Sequence, residues 1–281
     1  MNLILSLTEQ CNLRCTYCYY KESHKERIAV MNDDVLEASL RLSLDRTIEL
    51  RQSFLNITFF GGEPLLRLES IHKGTNYIKK LVKKRRSELP KDFELKFAIN
   101  TNGTLLTEDI LNFLEQEKFE IFLSLDGTAK RHNTNRKKIN GRGCFNKIKP
   151  HLFRLAKMNT TILSVVTQEN HVGLANSINW LIKQGFTKIQ TSVDFNKKWT
   201  GSELDELALE YKKMAKIWIK LQNENSPIYI GTIQDKISLS LLNISEKEHS
   251  CNIFKTGIGI ATNGNAFPCS RFITSNPNAP Y

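Results

Sequence analysis

Apolar positions along this chain come in short runs, and longer amphipathic stretches separate one run from the next. Leu3–Thr8 is an apolar run of strand length. Asn32 or Asp33 can cap a helix reaching about Leu50, because Asn and Asp side chains accept the first free amide hydrogens. Leu55–Phe60 is a second strand that stops at Gly61-Gly62, and a basic helix covers about Leu68–Arg86. Leu95–Ile99 is a third strand, followed by Asn102-Gly103 and a helix capped near Thr107. Glu120–Leu125 is a fourth strand and ends at Asp126-Gly127. A helix near Phe145–Met158 leads to strand Thr161–Thr167, and helix Val172–Gln184 leads through Gly185 to strand Lys188–Val193.

Strands that alternate with helices predict a parallel sheet, since each parallel connection must cross over. Six such units are too few for a closed eight-stranded barrel. They predict an open, partial (β/α)6 TIM-like barrel over residues 1–200, with functional groups on the loops after the strands. Glu203–Asn223 reads as a long helix within a connector over 201–250. Residues 251–281 are richer in Gly, Asn and Pro, and Thr262-Asn263-Gly264-Asn265 predicts a hairpin in a small C-terminal module.

Composition narrows the field. Of 281 residues, 40% are hydrophobic and 25% charged, an ordinary globular balance. No run approaches the roughly 20 apolar residues of a membrane span, and no signal-peptide pattern opens the chain. A cytoplasmic protein is expected. The net charge of +11 fits an acidic partner, but no nucleic-acid module accompanies it. The basic run Lys79–Arg86 reads as a solvated helix face.

The six cysteines carry most of the chemical information. Three lie in one loop, Cys11-Asn-Leu-Arg-Cys15-Thr-Tyr-Cys18, with spacing C-x3-C-x2-C. Three thiolates can ligate three corners of a 4Fe–4S cluster, and the missing fourth leaves one iron open to a ligand. A closed zinc site with His24 as fourth ligand, in a non-catalytic interaction protein, is the alternative reading of the same loop.

This loop resembles that of the radical S-adenosylmethionine (radical SAM) superfamily, and further motifs follow in the superfamily's order over about 195 residues. The resemblance implies a 4Fe–4S cluster on Cys11, Cys15 and Cys18, whose open iron chelates S-adenosylmethionine. Reductive cleavage then yields a 5′-deoxyadenosyl radical. Gly61-Gly62-Glu63 resembles the motif that binds the methionine amino group, although Pro64 also allows a plain strand-to-helix turn. Ser124 and Asp126 match positions that contact the ribose or the methionine carboxylate. Arg136 is either a partner for that carboxylate or a solvated loop charge. Tyr17 resembles the aromatic beside adenine, and Asn100-Thr101-Asn102-Gly103 the turn that shapes the cavity floor; Tyr19 and Tyr20 read equally well as core.

Cys251 and Cys269 frame Gly264 as C-x12-G-x4-C, which resembles the opening half of the SPASM module. That module carries auxiliary clusters in peptide- and protein-modifying radical SAM enzymes such as sulfatase maturases and ribosomal-peptide maturases. No downstream cysteine completes it here, so the resemblance implies at most a labile second iron–sulfur cluster. Cys144 reads as a packed small residue. Ten residues precede Cys11, so a peptide leader would be held by the barrel, by the C-terminal region or by a separate leader-binding protein. The expected activity is hydrogen abstraction from a peptide or protein side chain, forming a crosslink or oxidising Ser or Cys. An electron donor such as flavodoxin or ferredoxin would reduce the cluster. A small-molecule or cofactor-precursor substrate is the rival within the superfamily.

Overall fold

A computed structural model describes residues 1–18, 29–241 and 257–273. Its strands are β1 (Asn2–Thr8), β2 (Phe54–Gly61), β3 (Glu94–Thr101), β4 (Glu120–Ser124), β5 (Thr160–Val166), β6 (Lys188–Val193), β7 (Tyr229–Ile230), β8 (Gly257–Ile260) and β9 (Ala266–Phe267). Among the described residues they form one sheet in the order β7-β6-β5-β4-β3-β2-β1-β8-β9. β1 to β7 are parallel throughout, and the sheet does not close: β7 and β9 are its two ends. The open partial barrel expected from the strand–helix rhythm is the fold observed.

The crossovers are helices α1 (Asp33–Glu49), α2 (Leu68–Lys84), α3 (Glu108–Gln116), α4 (Ala129–Asn135), α5 (Phe145–Ile148), α6 (Leu152–Lys157), α7 (Leu174–Lys183), α8 (Gly201–Asn223) and α9 (Gly231–Leu241). Caps start several of them. Asn32 accepts from Val35 N, Thr107 from Ile110 N, and Thr200 with Glu203 forms a reciprocal capping box on α8. Inward-facing Leu3, Leu5, Ile57, Phe59, Ile99, Leu123 and Ile162 are buried between sheet and helices. No helix among the described residues is long and apolar enough to cross a membrane.

Three departures from the sequence pattern have physical causes. The helix expected over Phe145–Met158 is broken into α5, a 3-10 turn at Lys149–His151 and α6, because Pro150 has no N–H for the helical ladder. Helix α4 carries no apolar stripe; it buries Arg131, His132 and Asn135 instead. The predicted turn at Thr262–Asn265 does join a hairpin, with Gly264 at φ 89°. That hairpin is part of the main sheet, since β8 pairs in parallel with β1. The cysteine loop therefore leaves a strand with a neighbour on each side.

The tightest backbone approach lies where β2 ends. Gly61 has φ 138°, and a Cβ there would overlap the Thr8 carbonyl oxygen. Gly141 also has positive φ, at 75°, yet a Cβ there meets open space. Gly61→Ala is expected to lower stability by more than about 2 kcal/mol and Gly141→Ala by about 1 kcal/mol. Anaerobic urea unfolding of the two variants checks the order; equal midpoints would contradict it.

Candidate active site

The loop after β1 is fixed by protein contacts on three sides. Beside β2, Gly62 N donates to Thr8 O at 2.8 Å and Glu63 N to Gln10 O at 2.8 Å. On the opposite side the loop runs as a short ladder against the segment after α4: Arg14 N donates to Lys137 O at 2.7 Å and Thr16 N to Asn135 O at 3.0 Å. Toward β3, Asn12 donates to Thr104 Oγ1 at 2.8 Å and accepts from Asn102 Nδ2 at 2.9 Å. A Cβ at Gly62 would overlap Gln10 O, so these glycines let two backbones meet.

Asp126, at the end of β4, is fully buried. It accepts from Arg136 through Nε (2.9 Å) and a second guanidinium nitrogen (3.1 Å), from the Tyr17 hydroxyl (3.2 Å) and from Val165 N (2.9 Å). Burial alone would raise its carboxyl, but the Arg136 guanidinium overrides that and holds it below the usual carboxylate range. The solvated reading of Arg136 is thus overturned: its exposure is 5%. Asp126 stands behind the cavity, with its oxygens taken by protein donors, and not at the cofactor contact position expected for it. Tyr17 lines the cavity, its ring beneath the Arg136 guanidinium at 5.4 Å. Through Tyr17 the ion pair reaches the cysteine loop itself.

Glu63 has a similar fate. Its carboxylate is buried and accepts from Thr101 Oγ1 (2.7 Å), Asn102 N (2.7 Å) and Leu65 N (3.1 Å). Burial pushes it up to about 7, opposed by those three donors. It is absent from the cavity lining, and its side chain ties the β2 and β3 turns together.

The cavity is about 510 Å³ and opens at the C-terminal ends of the strands. Cys11, Cys15, Cys18 and Tyr17 line one wall, and Gly61, Gly62, Asn102, Ser124 and Arg136 line the next. The far side is built by Ser164 and Val165 of β5, by Gln190, Ser192 and Asp194 of β6 and its end, and by Phe195 and Arg271. The three thiols are half-buried. Among the described residues no three His, Cys, Asp or Glu side chains converge on a single ion position. Three thiols on one cavity wall suit an iron–sulfur cluster, which takes one thiolate per corner. Burial pushes Cys11 up to about 11 and Cys15 up to about 12, the latter eased by Arg136, and a bound metal favours the thiolate form of such ligands. Leu13 N and Asn102 Nδ2 lie 3.4 and 3.8 Å from Cys11 Sγ, placed to donate to an anionic sulfur. The donor set fits a cluster.

Several site residues escaped sequence reasoning. Buried Arg131 donates to Asp126 O, to Ser164 Oγ at 2.9 Å and to Asn170 O at 2.8 Å, bracing the ends of β4 and β5. Asn135 joins the cysteine loop to the end of β5, accepting from Thr16 Oγ1 at 2.7 Å and donating to Thr167 Oγ1 at 2.8 Å. Asp194 follows β6 directly, and its place at a strand end is the signal that could have found it. Cys144 is buried as expected, 3.1 Å from His132 Nε2. Cys269 is half-buried just before the turn that carries Arg271, while Cys251, His24, Tyr19 and Tyr20 lie outside the described residues.

Comparison with known proteins agrees with this geometry. The radical SAM superfamily model matches residues 5–181. The chain belongs to the radical SAM superfamily. It is accordingly an enzyme, and its cofactors are those of the superfamily, S-adenosylmethionine and a 4Fe–4S cluster. A cysteine-type anaerobic sulfatase-maturating enzyme of Clostridium perfringens is 34% identical over 171 residues, 59% of this chain and 44% of that protein. The enzyme of the same description from Clostridium novyi is 26% identical over 286 residues, covering 96% and 73%. The chain thus spans less than half of the first relative's length. The solved structure of native anSMEcpe with bound AdoMet and Cp18Cys peptide superposes with a TM-score of 0.73 at 25% identity, covering 97% of this chain and 74% of that one.

Two outcomes test the buried network of this radical SAM enzyme. Asp126→Leu or Arg136→Met alone should cost about 3–5 kcal/mol, because each leaves an unpaired buried charge, whereas the double variant should lie closer to wild type. Denaturant midpoints measure this, and additive losses would refute it. His132 is pushed down to about 3, first by burial and then by Arg136. Below its ordinary value near 6.5 the unfolded chain takes up a proton that the folded chain refuses, so stability falls as pH drops from about 6.5 toward 3. His132→Asn should flatten that part of the pH–stability curve of the cluster-free chain.

Proposed function

We propose that this enzyme reductively cleaves S-adenosylmethionine and abstracts a hydrogen atom from a side chain of a peptide or protein, oxidising a Ser or Cys or forming a crosslink. One observation carries the reading: the three loop thiols, the Gly61-Gly62 turn, Ser124 and Arg136 line one cavity with a second, polar wall left for a substrate. In this reading Cys11, Cys15 and Cys18 hold the 4Fe–4S cluster. The Gly61-Gly62 backbone and Ser124 face the methionine and ribose ends of S-adenosylmethionine, and Tyr17 lies beside its adenine. When bound, the two cofactors supply the one-electron chemistry.

The protein's own contribution is position. Its cysteine loop is held by three sets of contacts, and Tyr17 is fixed by Asp126. Likeness to sulfatase-maturating enzymes supports a Ser- or Cys-containing peptide substrate. The basic net charge of +11 suits an acidic electron donor such as flavodoxin or ferredoxin, and a separate protein would present any leader segment. Cys251 and Cys269 would supply two of the four ligands of an auxiliary cluster.

Anaerobic reconstitution tests the core of this reading. The wild-type chain should gain iron and sulfide in equal amounts at Cys11, Cys15 and Cys18 and release 5′-deoxyadenosine when reduced. Any single Cys→Ala change among the three should abolish that release. Retained cleavage, or one zinc without sulfide, would refute the assignment.

A further inference from the structure

The cavity's two charged groups on the substrate side, Asp194 and Arg271, come from opposite ends of the open sheet. Asp194 is buried and accepts from Asn196 N at 3.0 Å. Arg271 differs from every other cation near the site. Arg136 is committed to Asp126 and Arg131 to carbonyls and Ser164, whereas Arg271 is exposed and has no hydrogen-bond or ion-pair partner among the described residues.

Its position is nevertheless fixed. β8 is locked to β1, and the hairpin buries Ala261, Phe267 and Ile273 against Ile4. The turn bearing Arg271 is closed by Phe272 N donating to Cys269 O at 3.1 Å and Ile273 N to Ser270 O at 3.3 Å. Opposite, Phe195 lines the same cavity at 81% exposure. A rigidly held turn that presents an uncommitted guanidinium to a cavity facing an apolar ring is suited to an anionic group on an otherwise uncharged segment.

We propose that Arg271 determines substrate specificity, its guanidinium anchoring a carboxylate of the peptide substrate at the mouth of the cavity. The carboxylate is that of an Asp or Glu side chain or of a C-terminus. This rests on the peptide-substrate reading above and extends it to the chemistry of the peptide.

The test uses the reconstituted holoenzyme with S-adenosylmethionine and calorimetric titration of synthetic peptides centred on Ser or Cys. Four matched forms carry Glu or Gln at the flanking positions, each with a free or an amidated C-terminus. Wild type should bind one carboxylate-bearing form about tenfold more tightly than its neutral match, and the pair that differs identifies the source. Arg271→Gln should erase the preference and Arg271→Lys should keep part of it, with iron content and S-adenosylmethionine affinity unchanged. Equal binding of all four forms by wild type overturns the inference while leaving the peptide reading intact. A loss of iron or of S-adenosylmethionine affinity in Arg271→Gln, with the preference retained, also overturns it by assigning the guanidinium to a cofactor. If no peptide binds wild type, the peptide reading fails and the inference fails with it.

Discussion

The buried pair between Asp126 and Arg136 is the constraint on which the site depends. A carboxylate and a guanidinium withdrawn from water lose hydration that their mutual attraction repays only with good geometry and full hydrogen bonding. Both conditions are met: the guanidinium is bidentate, and Tyr17 and Val165 supply further donors to the same carboxylate. Each of those donors belongs to a different part of the site. Tyr17 is on the cysteine loop, Val165 on β5 and Arg136 on the segment that zips to the loop. One carboxylate at the end of β4 thereby sets the relative positions of three elements around the cavity.

The charge balance around that carboxylate bears on the chemistry. Two buried guanidiniums, Arg131 and Arg136, surround a single anion, Asp126, and His132 is held neutral by its burial. Arg136 lies beside Cys15 and draws its thiol down against the effect of burial. Arg136 thus acts in two directions: it holds Asp126 ionised, and the same charge favours the thiolate form of Cys15.

Much of this was legible in the sequence, but unevenly. β1 to β6 each fall on an apolar run, the spacing of Cys11, Cys15 and Cys18 marks the cluster loop, and resemblance to the superfamily singles out Gly61-Gly62, Ser124 and Asp126 at strand ends. Pattern failed where polar residues do the packing. Helix α4 has no apolar stripe because its inner face consists of Arg131, His132 and Asn135, which brace strand ends. The resemblance names Glu63 and Asp126 as cofactor contacts, and the fold makes both of them buried acceptors whose donors come from elsewhere in the chain. Which polar residue meets the cofactor and which holds the one that does depends on long-range pairing, such as the 39 residues between Asp126 and Val165, that no local window contains.

The two walls of the cavity differ in how far their polar groups are committed, and that difference separates constant chemistry from variable recognition. On the cofactor side nearly every polar atom has a fixed partner: Asn102 bonds Asn12, Arg136 bonds Asp126, and Tyr17 bonds Asp126. Radical chemistry needs that rigidity, since a misplaced reactive carbon abstracts the wrong hydrogen. On the β6 and C-terminal side, Ser192, Phe195 and Arg271 are exposed, and only the backbone beneath them is pinned. Side chains with free ends on fixed backbones can be exchanged without disturbing the cluster loop, because none of them takes part in the Asp126 network. The Arg271 turn reaches the cavity through the pairing of β8 with β1, independently of that network.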